Sequence, residues 1–113
     1  MKSTGYLRVV TNGGIAVDTT STTQPMTANN WYLITLVTRI TGDAGTTKVY
    51  VNSTEVMSRA HGTDTYGESN PLRIGSVNVD GTATFQGSIG AMYAYSTSLS
   101  AAAITDNYNA TSA

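Results

Sequence analysis

The chain has no cysteine in its 113 residues. That excludes a disulfide framework, a thiolate metal site and a cysteine nucleophile. There is one histidine, His61, which argues against a catalytic zinc centre, and without a nucleophile elbow it reads as a solvated loop residue rather than part of a triad. Charge is scarce, at 12% of residues, about half the average share. The six basic residues, Lys2, Arg8, Arg39, Lys48, Arg59 and Arg73, are scattered against seven acids, leaving a net charge of −1. A nucleic-acid partner would need a basic stripe to displace counterions, and a membrane surface would need a basic amphipathic segment. No run reaches the roughly 18 apolar residues of a membrane span. The stretch Met1-Lys2-Ser3-Thr4-Gly5 lacks the apolar core of a signal peptide. The expectation is a protein that leaves cells by another route, such as lysis within a virus particle.

What is present is a hydrophobic fraction of 40%, enough to reject wholesale disorder. The length suits one domain, residues 1–113, burying about two-thirds of its unfolded surface. Small domains without staples either manage with that core or have it completed by neighbouring subunits. Thr, Ser, Asn and Gly take the place of charge on the surface.

Alternation and turn residues predict strands. Tyr6 to Val10 and Ile15 to Asp18 flank Asn12-Gly13-Gly14, residues that tolerate positive φ and read as a hairpin turn. Residues 19–30 form a polar loop, with Pro25 unable to donate to a ladder. The strongest strand is Trp31 to Ile40, with Tyr32, Ile34, Leu36 and Ile40 on one parity. Gly42 to Gly45 is a turn, Lys48 to Val51 a strand, and Asn52-Ser53-Thr54 turns the chain into a short strand at Glu55 to Met57. Residues 58–70 read as a long exposed loop. Leu72 to Gly75 is a strand, and Asp80-Gly81 turns into a final strand from Thr84 to Tyr95. There the apolar phase slips after Gly90, which predicts a β-bulge within 88–92.

One helix is expected, at the C-terminus. Ser100 is a good N-cap, and Leu99 and Ile104 have the spacing of a hydrophobic staple. Ala101, Ala102 and Ala103 favour helix, Ile104 and Tyr108 share a face, and the helix should end near Asn109. About seven or eight short strands with regular turn signals indicate an all-β protein, an antiparallel β-sandwich with one short helix.

Four stretches resemble the laminin-G-like branch of the concanavalin A-like lectin/glucanase jelly rolls. Asn30-Trp31-Tyr32-Leu33-Ile34 is similar to the family's tryptophan-led strand. Lys48-Val49-Tyr50-Val51-Asn52 is similar to its Val-Tyr-Val-Asn strand and turn, and Leu72-Arg73-Ile74-Gly75 to its Leu-x-Ile-Gly strand. The most specific runs from Phe85-Gln86-Gly87-Ser88-Ile89 to Leu99-Ser100, then Ile104 and Tyr108. Order and spacing hold from Asn30 onward. The resemblance implies structural roles for Trp31, Phe85, Gly87, Ile89, Leu99, Ser100, Ile104 and Tyr108. Tyr50 and Tyr95 are expected to be packed as well. The chain departs from the pattern at Gly90, where many relatives carry Asp, so any role of that acid is absent. It also looks shortened, lacking the opening strands before Trp31, which would leave unpaired edges and apolar surface for another subunit to cover. The C-terminal stretch from Tyr95 resembles domain ends in structural proteins of tailed bacteriophages.

Glycoside hydrolysis needs two carboxylates about 5–9 Å apart. The acids Asp18, Asp43, Glu55, Asp64, Glu68, Asp80 and Asp106 fall mostly in turns, and no strand carries a same-face pair, so no enzyme is expected. No cofactor is expected either. Calcium could draw on Asp64, Glu68, Asn70, Asn78 and Asp80, although turn-stabilising Asx hydrogen bonds explain such residues more simply. Tyr66, with Asp64 and Asn70, is the best sugar-stacking candidate, against the plainer reading of an exposed tyrosine. Two sequons, at Asn52 and Asn109, are expected to be unused without a secretory signal. The leading expectation is a non-enzymatic virion-surface subunit, for decoration, fibre or attachment, that binds other virion proteins or copies of itself. The alternative is a lectin-like module for cell-surface glycans.

Overall fold

Val49 and Val51, the least exposed valines of the central strand, mark where the core sits. The computed structural model describes residues 7–13, 15–20, 26–41, 44–61 and 85–112. Strands β1 (Arg8–Gly13) and β2 (Ile15–Thr20) form an antiparallel hairpin in which Gly13 is registered against Ile15. Strands β3 (Ile34–Thr41), β4 (Ala44–Val51) and β5 (Thr54–His61) form a second antiparallel sheet in that order. Helix α1 spans Ala101–Thr111.

Alternation explains β4. Gly45, Thr47, Val49 and Val51 are buried on one face, as a central strand requires. Val49 and Val51 form a cluster with Val56 and Met57, and Leu7, Met26 and Tyr32 pack against it. Leu7 immediately precedes β1, so it sets the first hairpin beside the cluster, and β2 runs near β5.

A bulge lies between β4 and β5. Val49 faces Met57 while the next residue, Tyr50, faces Glu55. Val56 is therefore an extra residue in β5, which lets Val56 and Met57 both be buried although they are adjacent. The bulge expected within residues 88–92 is not seen there, because residues 85–100 carry no strand at all. A strand needs a ladder partner. The described sheets supply none for this segment, and the expected strand Leu72 to Gly75 lies outside the described residues.

Other boundaries moved for similar reasons. β3 starts at Ile34 rather than Trp31, because the Ala28-Asn29 turn and the segment after it precede the ladder. β5 continues to His61, so residues 58–61 are strand and not loop, held by pairing of Ser58, Arg59, Ala60 and His61 to β4. The Asn52-Ser53 turn is as expected, with Val51 registered against Thr54. Asn52 has φ 57°, which suits the first central position of a two-residue hairpin loop.

Helix α1 begins at its cap. The Ala103 N–H donates to Ser100 Oγ at 3.2 Å, and the Ile104 N–H to the Ser100 carbonyl at 3.0 Å. Ile104 is fully buried, with Leu99 and Tyr108 half-buried. The helix runs two residues past Asn109. Thr111 Oγ1 donates back to the carbonyls of Asn107 and Tyr108, and the Ser112 N–H closes on Tyr108.

Candidate binding surface

Among the large hydrophobic side chains of the described residues, Trp31 is the most exposed, at 72%. The family resemblance implied a structural role for it. It instead lies before the start of β3, where no strand among the described residues covers it, and its six-membered ring edge lies over Gly90. A Cβ built at Gly90 would sit 3.5 Å from Cζ3 and 3.8 Å from Cη2 of the indole. The absence of a side chain at Gly90 leaves that approach open.

The turn before Trp31 is held by its own polar groups. The Thr27 N–H donates to the Tyr32 hydroxyl at 3.1 Å, and the Thr27 and Tyr32 hydroxyls share a further bond at 3.2 Å. The Asn30 amide donates to Thr27 Oγ1 at 2.8 Å and to the Ala28 carbonyl at 3.2 Å. Asn29 takes the left-handed conformation, φ 65°, which Asn accepts more readily than most residues. The Thr27 hydroxyl, and then its N–H, stabilise the Tyr32 phenolate and hold that phenol below the usual tyrosine range.

Phe85 and Ile89, also expected to be structural, are about half exposed. The Phe85 ring folds back over its own chain, with Cε1 and Cζ only 2.9 Å from where a Gly87 Cβ would be. The Phe-x-Gly spacing thus lets a ring lie against bare backbone. Met92, Tyr93 and Tyr95 are exposed too. Tyr95, expected to be packed, instead accepts from the Asn107 amide at 3.3 Å and so ties this segment to α1.

On the sheet face opposite Val49, Tyr50 is packed as expected, and it joins Glu55 and Lys48 in a polar group. Tyr50 is buried, and its hydroxyl donates to Glu55 Oε2 at 3.3 Å; Lys48 Nζ lies 3.4 Å from the same oxygen. Burial, then the Glu55 carboxylate, pushes the Tyr50 phenol up. The signal was the turn, since the two-residue Asn52-Ser53 loop registers Val51 against Thr54 and so sets Tyr50 opposite Glu55, ahead of the Val56 bulge. Glu55 pairs with a cation and a phenol rather than a second acid, which is not a hydrolytic arrangement. Among the described residues no three His, Asp or Glu side chains gather to hold a metal ion, and no helix is long and apolar enough to cross a membrane. Tyr66, Asp64 and Asn70, with Glu68, Asn78 and Asp80, lie outside the described residues.

The family model of the concanavalin A-like lectin/glucanases superfamily matches residues 1–105. The chain belongs to that superfamily. The match to this laminin-G-like, concanavalin A-like domain takes in residues 1–29 as well, which the motifs from Asn30 onward did not reach. The two antiparallel sheets and single short helix are the parts of the concanavalin A-like fold that the described residues display. No curated protein and no solved structure matches the chain. Membership in this superfamily fits a carbohydrate-binding or structural role.

Proposed function

We propose that this concanavalin A-like chain is a non-enzymatic binding module serving as a structural subunit of a virus particle surface, where it docks on other protein. The observation that carries the reading is the exposed apolar surface: Trp31, Ile34, Leu36, Phe85, Ile89, Met92, Tyr93 and Tyr95 all face solvent. Large exposed apolar patches on small proteins mark interaction sites. Scarce charge and the phage-like C-terminal stretch support the virion setting. The test is quantitative mass spectrometry of purified particles from the source. A fixed, high copy number relative to the capsid protein is expected; absence from particles would overturn the virion setting.

One observation favours glycan binding as a second reading. Trp31 lies against Gly90 and is otherwise open, and an accessible indole is a surface on which a sugar ring can stack. Glycan-array binding that is lost in Trp31→Ala, and kept in Tyr66→Ala, would select this reading and place its site at Trp31.

A further inference from the structure

We propose that Thr27, Asn30 and Tyr32 form a clasp that holds Trp31 away from the core as a fixed indole, pre-organised for contact. Trp31 is a contact side chain in both readings above, and this inference rests on them only in naming the residues that position it.

Packing supplies the first part of the argument. Met26 and Tyr32 both pack against the cluster of Val49, Val51, Val56 and Met57, so the turn between them is pinned to the core at each end. The Leu33 N–H and carbonyl both bond to Asn52, which carries the phase of β3 back before Ile34. Tyr32 shares the parity of Ile34, which is registered against Val51, and accordingly turns inward. Successive side chains alternate across an extended segment. Trp31 therefore falls on the other side, and it is 72% exposed where Tyr32 is half-buried. The outward indole follows from the inward phenol.

Hydrogen bonding supplies the second part. The Tyr32 ring lies against the cluster, but its hydroxyl reaches back to Thr27. It accepts from the Thr27 N–H at 3.1 Å and shares a bond with Thr27 Oγ1 at 3.2 Å. That closes the turn around Trp31. The Asn30 amide donates to Thr27 Oγ1 at 2.8 Å and to the Ala28 carbonyl at 3.2 Å. A threonine hydroxyl has one hydrogen and two acceptor sites, so Oγ1 can accept from Asn30 while donating to Tyr32. The three side chains thus form one connected network. Asn29, at φ 65°, supplies the left-handed residue that reverses the chain inside it. At the far side, the indole edge meets the backbone of Gly90. The clasp fixes the base of the ring and Gly90 receives its edge, so opening the turn takes the ring off Gly90.

A fixed indole has a use. Exposed side chains exchange rotamers on the picosecond to nanosecond scale, and a partner that covers a mobile ring must first order it. A ring ordered beforehand is covered with less loss of freedom.

The experiment is time-resolved fluorescence anisotropy of Trp31, the sole tryptophan, in the full chain and in Thr27→Val and Tyr32→Phe, with circular dichroism to verify folding. Thr27 is exposed, and Tyr32→Phe keeps its ring in the cluster, so both variants should fold. The wild-type indole is expected to turn mainly with the whole protein. Both variants should gain a fast local component, and Thr27→Ser, which keeps the hydroxyl, should show the wild-type decay. A role confined to stability would lower the melting temperature and leave the motion of the ring unchanged, and that result would overturn the clasp. A wild-type indole that already moves freely would overturn it too, as would a Thr27→Ser decay like that of Thr27→Val. The ring is read with no partner present, so failure here leaves particle copy number and glycan binding to judge the readings above.

Discussion

Asn52 and Leu33 bond to each other twice, backbone to backbone at 2.7 Å and backbone to side chain at 3.0 Å. One residue thereby closes the β4–β5 turn and extends the β3–β4 ladder. Asn52→Gly keeps the positive φ and loses the side-chain acceptor, which should cost about 1 kcal/mol. Asn52→Ala loses the acceptor and adds left-handed strain, for a total of about 2–3 kcal/mol. Urea unfolding measures both; equal losses would show that the side-chain bond alone matters.

Tyr50 should make the protein sensitive to alkali. Its phenol is raised above 10.0 in the folded state, by burial first and the Glu55 carboxylate second. Above that pH the unfolded chain loses the proton while the folded chain keeps it, so the unfolded state binds fewer protons and stability falls as pH rises. The contribution is fully present below pH 10.0 and is lost upward through the folded value. Tyr32, held below 10.0, acts in the opposite sense, adding stability as pH rises toward 10.0. Thermal melts across this range should therefore show a smaller alkaline loss for Tyr50→Phe and a steeper one for Tyr32→Phe.

Ser100 carries the start of α1. Ser100→Ala removes the acceptor for the Ala103 N–H and should cost about 1 kcal/mol, whereas Ser100→Asp should be tolerated. Ile104→Ala empties a fully buried site and should cost about 2–5 kcal/mol. Denaturant midpoints decide between them: a Ser100 loss as large as that of Ile104 would mean the cap holds more than one amide.

Trp31 is the sole tryptophan, so its fluorescence reports one site. The native protein should emit like a solvated indole and be quenched by acrylamide. Gly90→Ala places a methyl at ordinary contact distance from the ring, at a backbone position free of left-handed strain. Stability should change by less than about 0.5 kcal/mol, with a measurable drop in quenching. A blue-shifted, unquenched native spectrum would contradict the exposed indole.

Much of this protein was legible in its sequence, where the determinants lie close together along the chain. The β1–β2 hairpin follows from alternation around Asn12-Gly13-Gly14, and the β4–β5 turn from Asn52, which accepts positive φ. The helix follows from Ser100, three alanines and the staple spacing of Leu99 and Ile104. Motif order carried the family assignment in the same way. The expected sugar group of Tyr66, Asp64 and Asn70 was also a local reading, of polar residues in one loop, and it lies outside the described residues.

The tertiary structure decided what depends on distant partners. The parity of β3 put Ile34 and Leu36 on the core face, but only the structure shows that this strand is an edge among the described residues and that both side chains are exposed. Phase-slip reasoning sought a bulge near Gly90, whereas the extra residue is Val56, because register is set by the strand opposite and not by the strand's own pattern. Trp31 and Phe85 have the composition of core residues, yet burial is a property of what packs on a side chain. Their rings instead lie by Gly90 and Gly87, two positions where bare backbone lets a ring approach. Local chemistry thus settled which elements form, and packing between elements settled which faces remain open to bind.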